Sequence, residues 1–342
     1  MDEKAASILD HLNQSNEQDE EELTMPPTGH LSTLLDLRSI GTDKFLGTTY
    51  TGWKLPRTFG GLTFSQALVA ACRTVEHPSR VLHSIHSYFI SAGSSKDPIT
   101  YIVKRTRDTK TFSNRKVHAV QGGRLILEVM ASFQVHREDA VRKLERQNVP
   151  SPWSSDLDRC PPPESCPSLK DRPGGFYMDI PGEWRIVEIN AEVPSAKAWI
   201  KAEEAPSLGN GYVAHFAASA FFSDILLLPT SFMPFASIEK VSRKNQVQAT
   251  LCHTMWFHKT FRADDWLLLQ MESPIAMGER ALCHGKIFNS KGELVVSMAQ
   301  EGMLRYVDEP AEAMKMVGRQ FGHPIYSGET QPYKIRTMNS KI

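Results

Sequence analysis

The chain states one plan twice, and few folds accommodate that. After Gly61, the segment Thr63 to Val75 carries Ala67, Ala70 and Ala71 along one side, as a helix pressed closely against a sheet would. Strand-like runs follow at Val81 to Ile90, Ile99 to Arg107, Ser113 to Gln121 and Arg124 to Val135, with Gly122-Gly123 as a hairpin turn. The second half repeats this. Strands at Arg185 to Ile189 and Ala196 to Ala202 lead to a helix at Tyr212 to Pro229. Further strands read at Gln248 to His258, Trp266 to Ser273, Glu279 to Phe288 and Glu293 to Met298, and Lys291-Gly292 stands where Gly122-Gly123 stood. The run from His83 through His86 to Phe89 finds its counterpart in His253 through Trp256 to His258. Each half is therefore an α+β unit, a helix wrapped by a curved antiparallel sheet, duplicated within one chain.

The rest of the sequence frames these units. Residues 1–28 form an acidic leader, with Glu17, Asp19, Glu20, Glu21 and Glu22 against the lone Lys4 and a close on Pro26-Pro27. Residues 29–136 make the first unit, which opens with a helix over His30 to Ile40 and short strands at Lys44 to Tyr50 and Gly52 to Leu55. A Pro- and Ser-rich linker over 137–182 separates it from the second unit at 183–306, and a tail fills 307–342. With 39 basic and 39 acidic residues, the chain has no overall field to gather nucleic acid or an anionic membrane. It has no run of about 18 apolar residues for a membrane span and no secretory signal order, so a soluble product of the cytosol is expected. The five cysteines are scattered and odd in number, which disfavours a disulfide framework, and the spacing of Cys160 and Cys166 does not match zinc. The last residues, Ser340-Lys341-Ile342, are a conservative variant of the Ser-Lys-Leu ending read by the peroxisomal import receptor, so a peroxisomal address is expected.

Within the second helix Asp224 falls on the apolar stripe of Ala217, Ala220, Phe221 and Leu228. A carboxylate there points into the core, where ionisation is costly without a partner. Two readings fit. Either Asp224 is a general base, or it serves structure by capping a second short helix with Ser223 or by pairing with an Arg. Gly60-Gly61, read as a turn ahead of the first helix, leaves backbone N–H groups able to meet a developing negative charge. Cys252-His253 is not a nucleophile dyad, because neighbours on a strand point to opposite faces; Cys252 reads as a small apolar residue. His83 and His86 read as a structural pair.

At these residues the sequence resembles the type II acyl-CoA thioesterases, a double-hotdog family of bacterial and peroxisomal enzymes. The matching stretches are FGG followed by QAL at 59–68, HSIHSYFISAGSSKDPITYIV at 83–103, ASFQ at 131–134, ATLCHTMWFHKTFRADDWLL at 249–268 and GELVVSMAQEGMLR at 292–305. The resemblance implies two hotdog folds side by side, each helix cradled in its half of a continuous sheet. It implies an acyl-CoA substrate, hydrolysis to a free acid and CoA without metal or cofactor, and a homo-oligomer. It also implies that Asp224, Thr250 and Gln300 hold the attacking water; without it, Thr250 reads as an ordinary strand residue and Gln300 as a strand-end residue at the surface. Gly60 and Gly61 are expected beside the thioester carbonyl. Two departures bear on substrate range: Leu62 stands where the family has Gln, and Cys252 where it has Asp. Two rivals remain, a thioesterase releasing a specialised acid in secondary metabolism and a non-catalytic acyl-CoA-binding protein.

Overall fold

The computed structural model describes residues 30–49, 57–136, 146–147, 160–169, 181–202, 211–235 and 246–306. The expected leader, the strand at Gly52 to Leu55, most of the linker and the tail with Ser340-Lys341-Ile342 lie outside these residues.

The elements run α1 (Leu31–Leu35), β1 (Arg38–Gly41), β2 (Lys44–Gly47), α2 (Gly60–Arg73), β3 (Arg80–Phe89), β4 (Ile99–Asp108), β5 (Phe112–Gln121) and β6 (Arg124–Val135). The second half supplies β7 (Glu183–Asn190), β8 (Ser195–Lys201), α3 (Gly211–Thr230), β9 (Gln246–Phe257), β10 (Leu267–Met277), β11 (Arg280–Phe288) and β12 (Leu294–Tyr306). All twelve strands join one sheet in the order β1-β2-β4-β5-β6-β3-β9-β12-β11-β10-β8-β7. Read from its centre outward, each half gives the same succession, so the sequence duplication is a spatial one. The halves meet where β3 pairs antiparallel with β9, and His86 faces Thr254 on the axis that relates them. This is the expected double hotdog.

Both long helices lie against this sheet and against each other. In α2 every residue from Gly61 to Cys72 is buried. In α3 the apolar residues run all round the helix, as burial on several sides requires. It is long and apolar enough to suit a membrane, but most of it is buried inside the protein.

Several boundaries differ from expectation. The helix expected over His30 to Ile40 stops at Leu35, because Asp36 is extended and Arg38–Gly41 pairs with β2 as an edge strand. Glu279 belongs to a turn rather than a strand: Gly278 and Glu279 both take positive φ, as Gly122 and Gly123 do, which matches the twist of a two-residue hairpin. β12 runs eight residues past the expected end at Met298, to Tyr306, and Gln300 is fully buried within it. The surface position read for Gln300 is thus corrected. The pairing of His83 with His253 as counterparts also shifts. The register breaks between Leu82 and Ser84 on β3 and between Thr250 and Cys252 on β9 are equivalent bulges, and they make Ile85 the counterpart of His253.

Candidate active site

Three elements converge at Asp224. The α3 helix continues without interruption through Ser223 and Asp224, so the reading of a cap on a second short helix does not hold. Asp224 Oδ1 accepts hydrogen bonds from Gln300 Nε2 at 2.5 Å and from Thr250 Oγ1 at 3.3 Å, and Gln300 Nε2 also donates to Thr250 Oγ1 at 2.8 Å. The three side chains close a ring. Both N–H directions of the Gln300 amide are directed into it, which fixes the orientation of the amide, since its oxygen would repel the carboxylate.

A bulge is what admits Thr250. On β9, His253, Met255 and Phe257 alternate inward and are buried. Strict alternation from His253 would send Thr250 to the outer face. Pairing passes from Glu301–Cys252 to Gly302–Thr250, leaving Leu251 as the extra residue, and Thr250 rejoins the inner face beside Gln300. Gly302 is required there as well, because a Cβ at that position would lie 2.4 Å from both Leu228 methyl carbons.

The glycine pair sits differently from the expected turn. Gly60 and Gly61 are the first residues of α2, and the preceding Phe59 offers no side-chain cap. The Gly61 N–H donates to the Asp224 carboxylate, so a residue of one central helix caps the start of the other. Close approach explains why both are glycine. A Cβ on Gly60 would lie 2.8 Å from Asp224 Oδ2, and one on Gly61 would lie 2.7 Å from the Phe221 carbonyl oxygen. The positive end of the α2 dipole therefore faces the carboxylate.

Burial pushes the Asp224 carboxyl up to about 6, against the opposing pull of Gln300, the Gly61 N–H, Thr250 and the charge of Arg57. The residue nonetheless keeps a partly open surface, as does Thr250. Ser223, one residue earlier, donates to Ala220 O at 2.8 Å and meets His253 Nε2 at 3.1 Å. His253 is buried against Phe64 and its ring is pushed down to about 3 by that burial, so it is neutral. Cys252 points away from it, as the strand alternation predicts. His83 and His86 lie on the outer face, away from Asp224: His83 bonds Ser132 at 2.8 Å, and His86 packs edge-on against Trp256.

The first half holds no equivalent ring. Ala131 pairs with Ile85 as Gln300 pairs with His253, and Leu82 pairs with Phe133 as Thr250 pairs with Gly302. Beside Ala131 the space is taken by the buried Arg115, whose guanidinium bonds Thr74 Oγ1 at 2.9 Å and Asp108 Oδ1 at 3.0 Å. Duplication of the fold thus leaves one Asp-Thr-Gln ring in the described residues.

Sequence reading missed Arg57. Its Nη1 donates to the Gln248 carbonyl oxygen at 2.8 Å, across the boundary between the halves, and its charge acts on Asp224. A lone Arg just ahead of the Phe-Gly-Gly helix start was the available signal.

Known proteins share this arrangement of the chain. Residues 50–134 match the family model for the acyl-CoA thioesterase N-terminal domain, and residues 159–304 match that for the C-terminal domain. The chain is similar to acyl-coenzyme A thioesterase 8 of Mus musculus, with 34% identity over 83% of this chain and 91% of that protein. It is also similar to the peroxisomal acyl-coenzyme A thioester hydrolase 1 of Saccharomyces cerevisiae, at 25% identity over 74% of this chain and 87% of that one. Among solved structures, an acyl-CoA thioesterase II from Mycobacterium marinum superposes with a TM-score of 0.65 at 34% identity, covering 81% of this chain and 97% of its own. The chain belongs to the acyl-CoA thioesterase family.

Proposed function

We propose that this protein hydrolyses acyl-CoA thioesters to a free acid and coenzyme A, with Asp224 as general base toward a water held by Thr250 and Gln300. The closed Asp224–Thr250–Gln300 ring carries this reading, because a pocket that only bound an acyl chain would need no partly desolvated carboxylate aligned by a hydroxyl and an amide. A thioester carbonyl is already electrophilic, so the site has to supply an oriented water and a proton acceptor. A carboxylate near 6 suits the second requirement, being ionised at neutral pH and more basic than an exposed Asp. As the water oxygen bonds to the carbonyl carbon, its proton passes to Asp224. Collapse of the tetrahedral species breaks the carbon–sulfur bond, and the proton returns to the departing sulfur. Gly60 and Gly61, which lie against the Asp224 carboxylate, would border the bound thioester.

The test is thiol release by the purified protein across a panel of CoA esters differing in chain length, branching and polarity. Turnover of at least one ester is expected; tight binding of esters with no thiol release from any would favour the non-catalytic binder. The relative of Saccharomyces cerevisiae is called peroxisomal, and with Ser340-Lys341-Ile342 this supports a peroxisomal location. Deleting that tripeptide is expected to disperse a tagged chain from peroxisomes into the cytosol, and unchanged puncta would refute it as the address. The sheet ends at β1 and β7; residues 167–169 already pair along part of the outer edge of β7, so the edge of β1 is the one suited to pairing in a homo-oligomer.

A further inference from the structure

Arg57 stands outside the ring yet joins the two segments that carry its supports. Three residues after it, Gly60 meets Asp224, and two residues after its acceptor Gln248 comes Thr250. The backbone carrying Arg57 is itself anchored. Arg57 bridges to Ser94, and the Thr58 N–H donates to the Gly93 carbonyl at 2.9 Å. The buried Gln121 then grips Ser94 on both sides, accepting from its N–H at 2.6 Å and donating to its carbonyl at 2.9 Å. An Arg that only joined two loops would not need this depth of support. We propose that Arg57 is a positioning residue of the hydrolysis: it fastens the Gly60–Gly61 end of α2 to the strand carrying Thr250 and brings a positive charge to the side of Asp224.

Other titratable groups around α3 are engaged elsewhere. On β9, His253 turns to Ser223 and is neutral; on β11, Cys283 is buried and pushed up to about 11. From α2, Cys72 faces Tyr212 near the start of α3, and His215 lies close to Asp264 at that same end. These leave Arg57 as the charge that answers Asp224 from the first half of the chain.

This inference rests on Asp224 being the base, and the experiment separates the two ideas. The pH dependence of kcat/KM is measured for the wild type, Arg57→Lys and Arg57→Gln. The wild type is expected to lose activity toward acid with a midpoint near about 6. Arg57→Gln is expected to move that midpoint upward, so that the loss on the acid limb exceeds any loss on the plateau. Arg57→Lys, which retains the charge but not the planar fork, is expected to keep the midpoint and lose part of the plateau. An unmoved midpoint in the Gln variant, with equal loss at every pH, overturns the proposal. Should that variant not fold, a Lys variant with its midpoint displaced upward overturns it equally. A wild-type profile with no acid limb would instead count against Asp224 as the base.

Discussion

Replacing Asp224 by Asn separates the two consequences of placing a carboxylate in the core. The first is catalytic. Without a proton acceptor the rate of thiol release is expected to fall by roughly two to four orders of magnitude, with KM little changed because the side-chain shape is retained. The second is thermodynamic and runs in the opposite direction. Burial holds the folded-state carboxyl at about 6, above the value near 3.9 of an unfolded chain. Stability associated with this group is therefore complete below about pH 4 and is lost as pH rises through about 6. A difference of two pH units corresponds to at most about 3 kcal/mol. The Asn variant escapes that loss, so its advantage over the wild type is expected to grow from nearly nothing at about pH 4 toward that ceiling by pH 8. Part is returned, because the Asn amide must direct one N–H group among the donors Gln300 and Gly61. Urea unfolding at both pH values, beside a thiol-release assay, reads both effects. A variant with wild-type turnover, or a stability difference that is the same at both pH values, would refute the reasoning.

Two further substitutions probe the surroundings of the carboxylate. Gln300→Glu places a second acid against Asp224, and since both cannot ionise at hydrogen-bond distance, the acid limb of kcat/KM is expected to move upward with activity recovering only at high pH; an unmoved limb would show that Gln300 does not face the base. Gly61→Ala introduces a Cβ 2.7 Å from the Phe221 carbonyl oxygen, forcing the helices apart. A loss of about 1 to 3 kcal/mol in urea unfolding is expected together with reduced turnover, and an unchanged midpoint of unfolding would count against the close contact.

Much of this fold was legible because its signals are local. The helical phase of Ala217, Ala220, Phe221 and Leu228 placed Asp224 inward, and alternation with Gly-Gly turns placed β3 to β6 within a residue or two. The misses share a cause: partners far away in the chain. β12 was cut short because Gln300, Glu301 and Gly302 look like a polar loop, yet their backbone is satisfied by β9 and β11 and the glycine makes room for Leu228. The inward turn of Thr250 depends on a bulge at Leu251, which no alternation rule announces; for the same reason the counterpart of His253 was placed two residues too early. Gly60-Gly61 read as a turn because the reason for two glycines, the carboxylate of another helix, lies some 160 residues on. The joining of the two halves in one continuous sheet, and the roles expected of Thr250 and Gln300, came from the resemblance rather than from the residues themselves.

The central claim is that Asp224 activates water and does not itself attack the thioester. A single turnover in oxygen-18 water, with enzyme in excess over acyl-CoA, tests for an anhydride opened at the Asp224 carbonyl, by mass spectrometry of the released acid and of the peptide carrying Asp224. One label in the acid and none in the peptide is the expected result. Label in the Asp224 side chain, with unlabelled acid, would mean a covalent anhydride formed there and would contradict it.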